Sequence, residues 1–215
     1  MPADDEETTR HAYDTAADAY AQMFTATEPE QPIDLAMIDH FTSLMPPPRR
    51  VLDAGCGAGR MLPYLTERGC RPEGVDLSGR MIFNAHHLHP QYRLTVGSLR
   101  QLNYPDESFD GVFSWYSTIH SPDEEFGRIV AELTRVVRPG GFVLLAFQVG
   151  HGVRRVGKYL AAAAGREVSM NRYHRSVSDV IGHLEGCQLD PVASMQRGPH
   201  GTEVDPQAVV ISRRR

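Results

Sequence analysis

Only three cysteines, Cys56, Cys70 and Cys187, occur in the 215 residues, and none forms a CxxC pair. An odd number without paired spacing argues against a disulfide framework and fits small residues in a reducing, cytoplasmic setting. Basic charge is also in short supply. Lys and Arg number 22 against 27 Asp and Glu, for a net charge of −5 with neutral His. Nothing therefore draws the chain as a whole to nucleic-acid phosphates or an anionic membrane. No 18 apolar residues run together, and the opening MPADDEETTR is polar and acidic where a secretory signal is basic and then apolar. Neither a membrane span nor export is expected. Internal repeats are absent, and the length with 41% hydrophobic content suits one domain with a modest insertion.

What is present starts at VLDAGCGAGR, Val51 to Arg60, an apolar run that breaks into three glycines at alternate positions. Such a turn brings backbone close to a ligand, because glycine accepts positive φ and has no side chain in the way. A phosphate-binding P-loop needs Gly-Lys and then Ser or Thr, and this stretch has no lysine. A dinucleotide fingerprint needs a third glycine where Arg60 stands. The carboxylate of Asp53, two residues ahead of Gly55, repels a pyrophosphate and suits a ligand with positive charge.

Around this turn, apolar strands and amphipathic helices alternate, the signature of a parallel sheet covered on both faces. A polar lead, residues 1–7, is expected to be disordered. Helices follow over TTRHAYDTAADAYAQMF and over IDLAMIDHFTSL, before MPPPRR breaks the pattern. RRVLDAG, PEGVDLS, YRLTVGS, FDGVFSWYS and FVLLAFQ read as five strands. The helices between them are RMLPYLTERG, GRMIFNAHHLH capped by Ser78, and a segment opened by Ser121-Pro122 with Glu124 and Glu125, ended by RPGG. GHGVRRVGKYLAAAAG reads as a short helical insertion, SVSDVIGHLEGC as a helix capped by Ser176 or Ser178, and DPVASMQ and QAVVISR as closing strands.

Asp53-x-Gly55-x-Gly57-x-Gly59 at the end of a strand resembles the cofactor signature of class I S-adenosylmethionine-dependent methyltransferases. The resemblance extends to GVDLS, to LTVGSLRQLNYPDESFDGVFSWYSTIHSPD and to ELTRVVRPGGFVLLAF, over residues 51–148, and looks closest to the small-molecule branch. It implies a doubly wound, Rossmann-like, seven-stranded, mostly parallel α/β sheet. Residues 8–45 would form a helical lid, 51–148 the cofactor core, 149–175 a substrate-side insertion and 176–215 a closing helix and strands. It also implies S-adenosyl-L-methionine as methyl donor, with S-adenosyl-L-homocysteine as product.

By the same resemblance, Asp53, Gly55, Cys56, Gly57 and Arg60 surround the cofactor from the turn. Asp76 holds the ribose hydroxyls, with Leu77 beside it. Ser98 and Leu99 lie at the adenine, where the family often has an acid after the third-strand glycine; Ser98 is a departure and a weaker acceptor. Ser114 completes the set, and Tyr20 closes it from the lid. Tyr13 is seven residues from Tyr20 and so on the same helical face, a candidate for the acceptor side; Tyr116, which alternates with Trp115 at the end of the fourth strand, and His151 and His174, in or near irregular parts of the chain, are candidates with it.

His120 follows the fourth strand, at the carboxyl end of the sheet where open α/β folds bind ligands; it is the candidate base or acceptor-positioning residue. His86, His87 and His89 read as a solvated helix face, and no metal is expected. The expected partner is a small-molecule acceptor, with no nucleic acid and no membrane, in a monomer or homodimer. A protein or RNA methyltransferase, and a non-catalytic cofactor-binding subunit, remain alternatives.

Overall fold

The computed structural model describes residues 5–215, so part of the expected polar lead, residues 1–4, lies outside the described residues. The helix α1 (Asp5–Met23) begins inside that lead. Asp5, Glu6 and Glu7 fill its first turn, where carboxylates complement the helix dipole. Asp5 also accepts a hydrogen bond from Asn171 Nδ2 at 3.0 Å and another from the Tyr173 hydroxyl. Then come α2 (Pro32–Ser43), β1 (Arg50–Ala54), α3 (Leu62–Glu67), β2 (Arg71–Asp76), α4 (Gly79–Leu88), β3 (Arg93–Val96), β4 (Phe109–Trp115), α5 (Asp123–Val136) and β5 (Val137–Gln148). The rest is β6 (Gly152–Val156), α6 (Lys158–Ala164), β7 (Met170–His174), α7 (Val177–Gly186), β8 (Leu189–Arg197) and β9 (Gln207–Arg214).

Seven strands form one sheet in the order β3-β2-β1-β4-β5-β9-β8. The first five pair in parallel, and β9 runs antiparallel to both its neighbours. Alternation along β1 divides the core. Val51 packs with Ile38 and Phe41 of α2 and Leu65 of α3 on one face, while Leu52 packs with Phe126, Ile129 and Leu133 of α5 on the other. Asp53 follows Val51 by two, so it projects from the α2–α3 face at the carboxyl end of the strand.

Two helix starts are refined by the structure. Ser78 caps α4 by accepting from Met81 N at 3.0 Å, and of the two serines offered for α7 it is Ser176 that caps, accepting from Asp179 N at 3.1 Å. At α5 the cap position is Pro122, without a side-chain bond; the carbonyl of Ser121 instead accepts from the Arg175 guanidinium.

The insertion departs further from expectation. The sequence predicts a helix over Val153 to Val156, yet these residues lie in β6, paired antiparallel with β7. Only α6, with its four consecutive alanines, is helical there. Gly157, at φ 122, makes the break, with the Val168 carbonyl 2.5 Å from where a Cβ would stand.

Candidate functional site

All three glycines of the turn have positive φ: 87 at Gly55, 55 at Gly57 and 83 at Gly59. Their amides are already committed. Gly55 N and Cys56 N both donate to the Val75 carbonyl at 2.7 and 3.0 Å, Gly57 N donates to Asp76 Oδ2 at 2.8 Å, and Gly59 N to the Cys56 carbonyl at 2.9 Å. A phosphate cradle needs those N–H groups free. What the glycines provide is close approach. A Cβ on Gly55 would stand 2.1 Å from Ser117 Cβ, and one on Gly57 would meet the Tyr20 ring at 3.8 Å.

Gly55→Ala is accordingly expected to cost about 2–5 kcal/mol, combining backbone strain with overpacking. At roughly 2–4 °C per kcal/mol for a chain of this size, a thermal melt resolves this easily. Gly152→Ala, also at positive φ but with nothing within 4 Å, is expected to lose only the strain. Equal losses in the two variants would refute the close-approach account.

Asp53 is the singular group of the site. It is 2% exposed, and its Oδ2 is buried without a hydrogen-bond partner among the described residues. Burial pushes its carboxyl up to about 8; the Arg60 guanidinium opposes the shift and the neighbouring Asp76 adds to it. Asp76 ties the end of β2 to the turn, accepting from Gly57 N through Oδ2 and from Ser78 N through Oδ1 at 2.9 Å. Burial raises its carboxyl as well, and the two amides partly offset this. Each oxygen retains a lone pair for a further donor.

Some expected contacts are committed elsewhere. Cys56 turns its thiol into a small core with Leu62, Ile82 and Leu94, and burial holds that thiol well above its usual range. Arg60 forms a fork with Glu30 at 2.7 and 2.8 Å and reaches the Ala26 carbonyl at 2.9 Å. Glu30 also accepts from Trp115 Nε1 at 2.9 Å. Arg60 thus pins the α1–α2 connection onto the sheet. Ser114 hydrogen-bonds Ser117 at 2.6 Å, Leu77 is half-buried beside Asp76, and Leu99 packs against the α5 core. Ser98 donates to Glu6 and accepts from Arg100 N at 3.0 Å. Glu6 of α1 thereby ties Ser98, a long-range contact with no local sequence signal.

α1 lies across the turn. Ala17 packs with Ala58 and Met81, with Tyr13 and Tyr20 alongside. Asp14 accepts from Ser78 Oγ at 2.6 Å and Arg80 N at 3.1 Å, and Asp18 from the Arg80 guanidinium and Asn84. Tyr13 and Tyr20 meet edge to face at 6.0 Å, and burial raises both phenols.

Tyr13 also reaches His120, its hydroxyl 3.0 Å from Nε2. The other ring nitrogen, Nδ1, is 2.6 Å from the Asn171 carbonyl. A carbonyl only accepts, so Nδ1 carries the proton and Nε2 accepts the Tyr13 O–H. Burial pushes His120 down to about 4, the Asn171 bond opposes this, and the nearby Arg172 charge adds to it; the ring is neutral near pH 7.

The remaining candidates sit apart. Tyr116, at φ 57, is wedged against Trp115 at 5.3 Å between the two cores. His174 is 7% exposed and lies 3.1 Å from Asp205. His151 is exposed and shares with His174 and Arg175 the lining of a cavity of about 550 Å³ between β6 and α7. A second cavity, of about 440 Å³, lies between α1 and residues 167–169. Asp53 and Asp76 line neither. On α4, His86 and His87 are exposed, while His89, just past its end, abuts Gly59.

Residues 51–141 match the family described as "Methyltransferase domain". This segment is a methyltransferase domain. Among curated relatives, phosphatidylethanolamine N-methyltransferase of Cereibacter sphaeroides is 35% identical over 118 residues, covering 52% of this chain and 55% of that protein. The chain spans about half or less of the length of the curated relatives it matches. Its fold is that of solved S-adenosylmethionine-dependent methyltransferases. Burkholderia thailandensis 1,6-didemethyltoxoflavin-N1-methyltransferase, solved with bound 1,6-didemethyltoxoflavin and S-adenosylhomocysteine, superposes with a TM-score of 0.72 at 20% identity, covering 97% of this chain and 88% of that one. Synechocystis PCC 6803 magnesium protoporphyrin IX methyltransferase, solved with the methyl donor bound, gives 0.71 at 17% identity, covering 99% and 98%. Among the described residues, no helix is long and apolar enough to cross a membrane.

Proposed function

We propose that this chain transfers a methyl group from S-adenosylmethionine to an O, N, S or C atom of a small-molecule acceptor, in the cytoplasm, where its three thiols stay free. The observation that carries the reading is the pairing of an orphaned, buried Asp53 oxygen with a glycine turn whose amides are spent. That combination offers phosphate no free amide and gives a cation a carboxyl group to ionise against, and this donor has an ammonium and a sulfonium. The cofactor supplies an electrophilic methyl group when bound.

The chain's own residues supply placement. Asp53 balances positive charge, Asp76 accepts from ribose hydroxyls, and the aromatic face of α1 keeps water from the reacting atoms. The Tyr13 oxygen can receive the proton of a hydroxyl or ammonium acceptor as its own proton moves to His120 Nε2.

The test is calorimetry with S-adenosylhomocysteine and with NAD: the first binds and the second does not. NAD binding without S-adenosylhomocysteine binding would end the reading. Turnover of labelled donor with an acceptor library separates an enzyme from a silent binding subunit.

Asp53 also gives the binding a pH signature. Its carboxyl is raised from an ordinary 3.8 to about 8, so its contribution to the stability of the ligand-free fold is fully present below about pH 4. That contribution is lost as pH climbs through about 8. Asp53→Asn is therefore expected to melt progressively higher than the parent as pH rises from 5 to 8. Asp76 is the same in both proteins and cancels in the comparison. The ionised carboxylate is the form that meets a cation, so parent affinity for S-adenosylhomocysteine climbs from pH 6 to 8, by at most tenfold per pH unit. In Asp53→Asn it is weak and flat. A variant that tracks the parent in both melting and binding would remove Asp53 from the role.

A further inference from the structure

The β6–β7 hairpin holds more positive charge than its partners use. Along β7, Met170, Arg172 and His174 alternate onto one face and Asn171 and Tyr173 onto the other. Met170 packs with Ala12, Ala16 and Tyr13, and the carbonyl of Asn171 holds His120, so Arg172 leaves the strand between the two contacts that frame the Tyr13–His120 pair. Its charge is felt at both rings.

The acid on this face is Asp205, and it is already well served. Arg154 donates to it at 2.6 Å and His174 stands 3.1 Å away, whereas the nearest approach of Arg172 is 3.5 Å. Arg172 Nε is buried without a hydrogen-bond partner among the described residues, although the side chain remains 28% exposed. One carboxylate thus faces two guanidiniums, and the one beside Tyr13 is poorly used. A guanidinium presents its donors as a planar fork that matches a carboxylate in bidentate fashion, and an anion at this place would satisfy the idle N–H.

Building on the methyl-transfer reading, we propose that the acceptor is a small-molecule carboxylate and that Arg172 is the residue that selects it, holding the carboxylate while Tyr13 and His120 face the atom to be methylated. Asp205, kept by Arg154 and His174, then fixes the hairpin rather than competing for the acceptor. The overall charge is negative, but on this face Arg154 and Arg172 share the single carboxylate of Asp205.

The experiment pairs each carboxylate with its own amide. The protein saturated with S-adenosylhomocysteine is titrated with 4-hydroxybenzoate and 4-hydroxybenzamide, and labelled methyl transfer is screened over hydroxy acids and amino acids alongside their amides. Carboxylates are expected to bind or react at least tenfold better than the matching amides. Arg172→Gln is expected to abolish that preference while leaving S-adenosylhomocysteine affinity unchanged. Arg154→Gln, which takes the close partner from Asp205, should melt at a lower temperature and keep the preference. The proposal is overturned if amides match carboxylates, if no carboxylate is bound or methylated, or if Arg172→Gln retains the preference. Failure of S-adenosylhomocysteine to bind the parent protein would instead strike the methyl-transfer reading itself.

Discussion

Asp76→Ala is expected to raise the Kd for S-adenosylhomocysteine about 10- to 100-fold. The carboxylate holds Gly57 N and Ser78 N at 2.8 and 2.9 Å and in our reading also accepts from the ribose. A hydrogen bond to a charged group contributes about 1.5–3 kcal/mol, and each 1.4 kcal/mol is a factor of ten in affinity. Because the same substitution strands one amide of the turn and one at the α4 cap, loss of binding alone could come from a loosened loop. An analogue of S-adenosylhomocysteine lacking both ribose hydroxyls separates the causes. If Asp76 meets the ribose, the analogue binds parent and variant within a few-fold of each other. If Asp76 only braces the turn, the variant loses both ligands equally. An unchanged Kd for S-adenosylhomocysteine in a folded Asp76→Ala would take Asp76 out of the site altogether.

The contrast between Asp76 and Arg60 shows where the sequence is readable. The turn, the acid at the end of β2 and the cap at Ser78 lie within 26 residues of one another (53 to 78), and their roles follow from local rules: positive φ for glycine, a carboxylate at a strand end, a serine before a helix. Arg60 sits in the same stretch, but Glu30, which claims it, comes from a connection 30 residues earlier, and no spacing rule links the two. Glu6 reaching Ser98 is the same kind of event across 92 residues.

The β6–β7 hairpin was hidden for a different reason. Val153-Arg-Arg-Val156 is too short to display a two-residue period and is separated by four residues from an alanine run of high helix propensity. What makes it a strand is its partner β7, so pairing outweighs local preference. The region we propose for the acceptor is assembled largely from such remote contacts, among them Tyr13 to His120, 107 residues apart. The glycine turn and Asp76, by contrast, are joined by a contact 19 residues apart.

That remote pair carries the other large expected effect. His120→Ala and Tyr13→Phe are each expected to lower kcat about 100-fold or more with the true acceptor, within the range for lost proton transfer or positioning. Since the Tyr13 O–H donates to His120 Nε2 and Nδ1–H to the Asn171 carbonyl, the two act as one unit. The double variant should fall little below the worse single one. The pH profile distinguishes this pair from an independent histidine base. With His120 pushed down to about 4, the ring is neutral throughout the working range, so kcat should show no histidine limb between pH 5.5 and 7.5, and only below about pH 5 should protonation of Nε2 break the Tyr13 bond. His120→Gln, whose amide oxygen can still accept from Tyr13, should recover part of what His120→Ala loses, whereas His151→Ala, at an exposed position, should stay near the parent rate. A limb near pH 6.5 that vanishes in His120→Gln would make His120 a free general base. Near-parent rates in both His120 variants would leave alignment of acceptor and donor as the chemistry this site performs.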